Sequence, residues 1–383
     1  MKSKNLYGAA ALVLSAAMLT ACSGGSGSGN TSDAATELTT RVIYMTDDTA
    51  DTGNTQEAAE IPAGMYLSEL TGEPIDEELK NQRPIAVMID NERTALEHFG
   101  TAEADVVYEM MNSTANDRIT RLMIIMKDWG KIKQLGSIRS TRPTNLILYP
   151  EWNAVLCHDG GPAVHINAYL DNNYTPRFNG SFSRVDNGKP TEFTEYILEG
   201  DLERNFSNSN ISPEYDDNRL EDESHFEFSP YGITIDLETD YNGAFDASEI
   251  DMSKIFNHNA SKLIYNEETQ TYDYHEYGEP HTDGEDGEVM TFKNVFLQDV
   301  VFNQLDDNGY LIYNAIDFNY NKGYYFTNGK GIEVFWTKPQ TLDHTRYFVY
   351  NDSGLLEEIV INTGKTYIGL LPDDTWDQLE IKE

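Results

Sequence analysis

The sequence is poor in cysteine, in basic residues and in long apolar runs, and each shortage excludes something. Among 383 residues there are only two cysteines, Cys22 and Cys157. Two cysteines cannot form a disulfide scaffold or a Cys-rich zinc or iron–sulfur site. Lys and Arg number 27 against 65 Asp and Glu, a formal charge of −38. Such a chain lacks the broad basic surface that nucleic acids or anionic membrane surfaces require, so nucleic acid is not expected as a partner. Beyond the N-terminus no stretch reaches the roughly 18 apolar residues of a membrane-spanning helix. The remainder therefore reads as soluble. Against these shortages, 39% of residues are hydrophobic and 11% aromatic. That is enough to bury cores, and the length suits about two domains.

The first 22 residues, MKSKNLYGAAALVLSAAMLTAC, have the layout of an export signal. Lys2 and Lys4 form a positive start, and Gly8–Thr20 a short apolar stretch of small residues. Residues 1–21 are thus expected to be a signal peptide. Leu19-Thr20-Ala21-Cys22 resembles a bacterial lipobox, which implies lipidation of Cys22 as the first mature residue. Acyl chains there, each buried CH₂ contributing about 0.8 kcal/mol, would anchor the protein to the membrane. Residues 22–60 begin with Gly and Ser and continue acidic, the composition of a flexible tether. The expected location is the cell membrane, lipid-anchored on its extracytoplasmic face.

From residue 61 the texture is that of folded sequence. Ile85–Ile89, Asp105–Met110, Leu122–Met126 and Trp152–Cys157 are apolar runs that predict strands buried on both faces. Thr144–Tyr149 and Val164–Leu170 look helical. Residues 61–225 are therefore expected to be an α/β or α+β domain. Residues 205–230 are polar and acidic and suit a boundary or an exposed loop. Beyond them, short aromatic strands alternate with turns such as Asp307-Asn308-Gly309, Thr327-Asn328-Gly329 and Asp352-Ser353-Gly354. This predicts a mostly antiparallel β domain over 226–383.

Several motifs resemble the YerB family of bacterial lipoproteins, a domain of unknown function numbered 3048. In the first half they are Arg83–Asn91, Ala104–Glu109, Ile119–Leu122, Leu135–Pro143 and His158–Pro162. In the second half they are Gly278–Asp283, Asn294–Gln298, Gly331–Lys338 and Gly364–Ile368. The resemblance implies a membrane-anchored, cell-surface protein and no established activity. One departure stands out. After Arg184 the family pattern usually carries Pro-His-Asn, whereas here Lys189-Pro190-Thr191-Glu192-Phe193-Thr194-Glu195 contains no histidine.

The residues best suited to chemistry are Arg118, Arg121, Arg139, Ser140, Arg142 and Arg184, with His158. Guanidinium forks bind phosphate or carboxylate bidentately, and a hydroxyl such as that of Ser140 can add a hydrogen bond. The same arginines could instead pair with Asp90, Asp105 and Glu109 inside the fold. Cys157 and His158 do not form a nucleophile–base dyad, because adjacent strand residues point to opposite faces. The patch from His275 to Glu288 could bind calcium, but its spacing fits no EF-hand and no HExxH helix, and it reads as a solvated hairpin loop. Gly364-Lys365-Thr366 lacks the first glycine of a P-loop. No metal and no cofactor is expected.

Two functions follow. One is a binding or accessory module for an anionic wall glycopolymer or envelope protein partners. The alternative is an enzyme acting on an anionic, phosphate-containing envelope polymer through the arginines. A short likeness of Thr120–Arg142 and His158–Gly161 to wall-polymer phosphotransferases of the LytR–CpsA–Psr type motivates the second. The enzyme reading requires one pocket that joins Arg121, Arg139, Arg142 and His158. The global charge does not oppose either: residues 81–190 hold 12 basic and 12 acidic residues, so that stretch is neutral.

Overall fold

The computed structural model describes residues 57–170, 175–215, 224–313 and 317–383. The signal peptide, Cys22 and the tether up to residue 56 lie outside the described residues.

One long mixed sheet organises the fold. Its strands follow the order Leu356–Glu358, Arg346–Tyr350, Lys330–Lys338, Asp317–Thr327, Asn294–Val300, Thr366–Pro372, Val106–Met111, Thr120–Met126, Ile85–Asp90, Val155–His158 and Arg177–Asn179. Every residue of Ile85–Asp90, Val106–Met111 and Thr120–Met126 is buried. Runs without polar alternation need cover on both faces, and both are covered. On one face sits a smaller sheet that includes Glu249–Asp251, Lys262–Asn266 and Thr271–Glu276. The Tyr367 ring of the long sheet lies 5.4 Å from Phe292 and 6.0 Å from Tyr274 there. On the other face, Tyr108 and Phe296 meet Trp152, Phe226 and Tyr347, with Phe296 and Tyr347 stacked at 3.8 Å.

The short helices Pro143–Leu148 and Ala163–Leu170 lie where the sequence predicts them. Pro143 presets the first helical turn, and the Arg142 backbone N–H donates to Asn145 Oδ1 at 2.8 Å. Strands dominate over helices, so an α/β first half holds only loosely.

One expectation needs refinement and another correction. The second half is mostly antiparallel, as expected, with an exception at the sheet's centre. Thr366–Pro372 pairs in parallel with Asn294–Val300 on one side and with Val106–Met111 on the other. Its seven residues are all buried, and such a strand belongs at a sheet's centre rather than its edge. The sheet therefore runs across the boundary expected near residue 225. The polar segment around that boundary is also not loop throughout. His225 and Phe226 are buried, and Glu227–Phe228 pairs with Val360–Ile361.

Candidate functional site

The parallel strands Ile85–Asp90 and Val155–His158 end on one side of the sheet, and Thr120–Met126 begins there. Asp90 stands opposite Arg121 in register. The connection after Leu135 packs along this end, where the Arg139 N–H donates to the Met88 carbonyl at 2.9 Å. The turn after His158 is tied to the same connection. Asp159 N–H donates to Arg139 O at 3.0 Å, and Thr141 N–H to Gly160 O at 3.1 Å. Backbone hydrogen bonding thus gathers Arg121, Arg139, Ser140, Arg142 and His158 at one sheet end.

The arginines there differ in how they are partnered. Arg139 pairs with Asp90 through Nε and with Glu192 through Nη2 at 3.0 Å, with its guanidinium over the Phe193 ring. Arg121 is buried and donates to the Ser140 carbonyl at 2.6 Å. Arg142 is buried, donates to Thr141 O at 2.8 Å and stacks 4.6 Å over the Tyr310 ring. Its Nε is buried without a hydrogen-bond partner. Among the described residues neither Arg121 nor Arg142 forms an ion pair with a carboxylate. Burial lowers the pKa of Arg121 to about 10 against the pull of Asp90. Burial, then the charge of Arg121, lowers Arg142 to about 9. Both remain charged at neutral pH, and each donates to a backbone carbonyl rather than to a carboxylate.

The other predicted residues lie apart or are committed elsewhere. Arg118 forms a bidentate pair with Asp374, at 3.0 and 2.7 Å, on a turn near the C-terminus. Arg184 bridges Asp159 and Glu195, both at 2.9 Å. His158 is buried, with Nδ1 2.8 Å from Gly160 O. Burial lowers its pKa to about 4. Cys157 is buried and burial pushes its thiol pKa far up, which makes it a poor nucleophile. Glu109 and Asp105 do not hold arginines. Glu109 accepts from Thr120, Ser261 and Tyr367, and Asp105 accepts the Lys127 N–H at 2.8 Å.

An open cleft of about 1080 Å³ exposes Arg121 and Arg139. Asp90, Glu92, Asp117, Glu192, Phe193 and His258 also line it, whereas Arg142 and His158 do not. Asn116, Asp117 and Arg118 all adopt left-handed backbone (φ 53°, 51° and 62°), which bends the chain along its rim. Glu192 and Phe193 lie in the 189–195 segment noted from sequence, where nothing marked them as site residues. His258 and Tyr310 carry no sequence signal at all and reach the site only through tertiary packing.

Comparison with known proteins places this geometry in a family. Residues 70–212 match the N-terminal domain, and residues 250–368 the C-terminal domain, of the proteins of unknown function DUF3048. The chain belongs to this family. It is 24% identical over 321 residues to the Bacillus subtilis (strain 168) protein named "Putative lipoprotein YerB", covering 79% of this chain and 86% of the relative. The crystal structure of YerB protein from Bacillus subtilis superposes with a TM-score of 0.66 at 19% identity, covering 83% of this chain and all of that one. That likeness shows a shared fold. Residues 189–195 fall on the cleft: this segment forms the turn Thr191–Phe193 and supplies the Glu192 that pairs with Arg139.

Proposed function

We propose that the protein is a lipid-anchored envelope lipoprotein, held on the extracytoplasmic face, that binds an acidic group of a wall polymer in the Arg121–Arg139 cleft. The observation that carries this reading is the buried Arg121 guanidinium, which lines an open cleft beside Arg139 and, among the described residues, forms no ion pair with a carboxylate. A buried charge is costly unless compensated, and an entering phosphate or carboxylate would compensate it. Glu192 is half exposed and would give way to the ligand at Arg139. Glu92 and Asp117 also line the cleft, so a densely charged polyanion is disfavoured. An isolated acidic group, with neutral or cationic neighbours, suits the site better. The lipoprotein name of the relative and the lipobox-like residues support the anchor.

The enzyme reading asked for one pocket joining four residues, and this cleft joins two of them. It is not taken further.

The test is retention of the soluble chain on immobilised wall glycopolymer, with inorganic pyrophosphate as competitor. Arg139→Ala and Arg121→Gln should each weaken retention by about 10- to 100-fold, the loss of one charge-assisted contact of roughly 1.5–3 kcal/mol. The melting temperature of Arg121→Gln should stay close to that of the unmodified protein, whereas Arg139→Ala leaves the buried Asp90 carboxylate without its partner and should lower it. Unchanged retention, or a collapse of stability in both variants, would sink the proposal.

A further inference from the structure

The sequence analysis left the stretch from His275 to Glu288 as a solvated loop, and half of it is not. Glu276, His281 and Asp283 are buried; Glu285, Asp286 and Glu288 remain on the surface side of the turn. Asp283 is satisfied, since its Oδ2 accepts the N–H groups of Thr101 and Ala102 at 2.8 and 3.2 Å. Glu276 is only half satisfied, whereas both ring nitrogens of His281 have partners. His281 Nδ1 lies 2.7 Å from Glu276 Oε1, and its Nε2 lies 3.1 Å from Thr101 Oγ1. Glu276 Oε2 is buried without a partner.

A second histidine completes the cluster. His98 comes from the other family segment, is fully buried, and its ring centroid lies 5.0 Å from that of His281. Neither of its ring nitrogens makes a well-formed hydrogen bond. One nitrogen of each histidine and one oxygen of Glu276 lie within 4.8 Å of one another. Buried polar atoms of native proteins are nearly always paired, so the unpartnered Glu276 Oε2 beside the poorly partnered His98 ring calls for an occupant.

We propose that His98, Glu276 and His281 bind one divalent transition-metal ion of the zinc class. Two imidazoles and a carboxylate are the donor set of such ions, whereas calcium and magnesium prefer all-oxygen shells. At bond lengths of about 2.0–2.1 Å the ligand atoms of a tetrahedral ion stand roughly 3.4 Å apart, so the three donors need to close by about an ångström. Whichever nitrogen of His281 binds, the other keeps Glu276 or Thr101 as the partner that orients the ring, the usual arrangement around metal-bound histidine. Access is provided by a cleft of about 500 Å³ lined by Glu276 and His281, with Glu97 and Glu279 favouring a cation and Arg93 opposing it. Solvent in this cleft would supply the fourth ligand. The ion would tie His98 of the first family segment to the Thr271–Glu276 strand and His281 of the second.

The site is tested on the full soluble chain by equilibrium dialysis against Zn²⁺, with millimolar Mg²⁺ present to saturate surface carboxylates. One equivalent of Zn²⁺ should remain bound, and the melting temperature should rise with it. Co²⁺ should give the visible ligand-field bands of a nitrogen-ligated ion. His98→Phe, which keeps a ring of similar size, and Glu276→Gln should each weaken Zn²⁺ binding at least tenfold. Should His98→Phe fail to fold, Glu276→Gln and the Co²⁺ spectrum of the unmodified chain decide. Less than half an equivalent bound, an all-oxygen Co²⁺ spectrum, or unchanged affinity in Glu276→Gln would overturn the proposal.

Discussion

Glu151 and Lys338 come from opposite halves of the chain, and both side chains are fully buried. Lys338 Nζ donates to Glu151 Oε2 at 3.1 Å. Thr345 donates to the same oxygen through its N–H at 2.7 Å and its hydroxyl at 2.9 Å, while Tyr108 donates to Oε1 at 2.7 Å. Burial alone would raise the Glu151 pKa, but Lys338 and His225 outweigh it and hold the carboxyl well below the usual range. Glu151→Gln keeps the shape and most of the hydrogen bonding but leaves the Lys338 ammonium buried beside a neutral amide. Breaking a buried pair in this way costs about 3–5 kcal/mol. Lys338→Met strands the Glu151 carboxylate and should cost a similar amount. The double variant strands neither charge, so its cost should fall about 2–3 kcal/mol or more short of the sum of the singles. Urea unfolding followed by tryptophan fluorescence is the assay, because Trp152 stacks on His225 at 3.8 Å beside the pair. A single-variant cost under about 1 kcal/mol, or strictly additive costs, would refute the reasoning.

Two further predictions concern the Val155–His158 strand. His158 has a pKa lowered by burial to about 4, against about 6.5 in an unfolded chain. The unfolded chain takes up the proton first, so this residue's stabilising contribution is complete above pH 6.5 and is lost as pH falls towards 4. The stability difference between the unmodified protein and His158→Gln should therefore shift by about 3 kcal/mol against the unmodified protein between pH 7 and pH 4. A difference independent of pH, from urea melts at each pH, would contradict this. The Cys157 thiol is fully buried, so in a soluble chain beginning after Cys22 it should react with a thiol reagent only as fast as the protein opens. Rapid labelling of the native protein would show the site to be accessible.

The sequence made the strand cores legible because their apolar runs are continuous, and the helix at Pro143 legible because Pro and a capping pair mark its start. It also made part of the arginine site legible, since Arg139, Ser140 and Arg142 share one short connection after a strand. It could not separate Arg118 from Arg121, three residues away. That difference depends on Asp374, which reaches Arg118 only once the C-terminal turn has packed. Likewise the reading of His281 as a loop residue followed from acidic neighbours in sequence. Its burial is decided by the smaller sheet and by His98, which the sequence places in the other half. Local chemistry was therefore readable wherever one segment carries the site, and hidden wherever two distant segments build it.

The position of Thr366–Pro372 has a consequence for how the chain folds. This strand lies between Asn294–Val300 and Val106–Met111, the second of which is far from it in sequence. Tyr367, Ile368, Leu370 and Leu371 are each fully buried there. At about 1.5–3 kcal/mol for each, their burial contributes roughly 6–12 kcal/mol, comparable to the whole net stability of a typical protein at about 5–15 kcal/mol. A chain ending at Gly364 should thus lose the fold in both halves, even though the missing strand lies far from the first half in sequence. Limited proteolysis is the measurement: the truncated chain should be cleaved throughout, including around Ile85–Asp90. A protease-resistant fragment spanning residues 70–212 would show instead that the first family segment folds alone. Pairing between strands so distant in sequence also folds slowly.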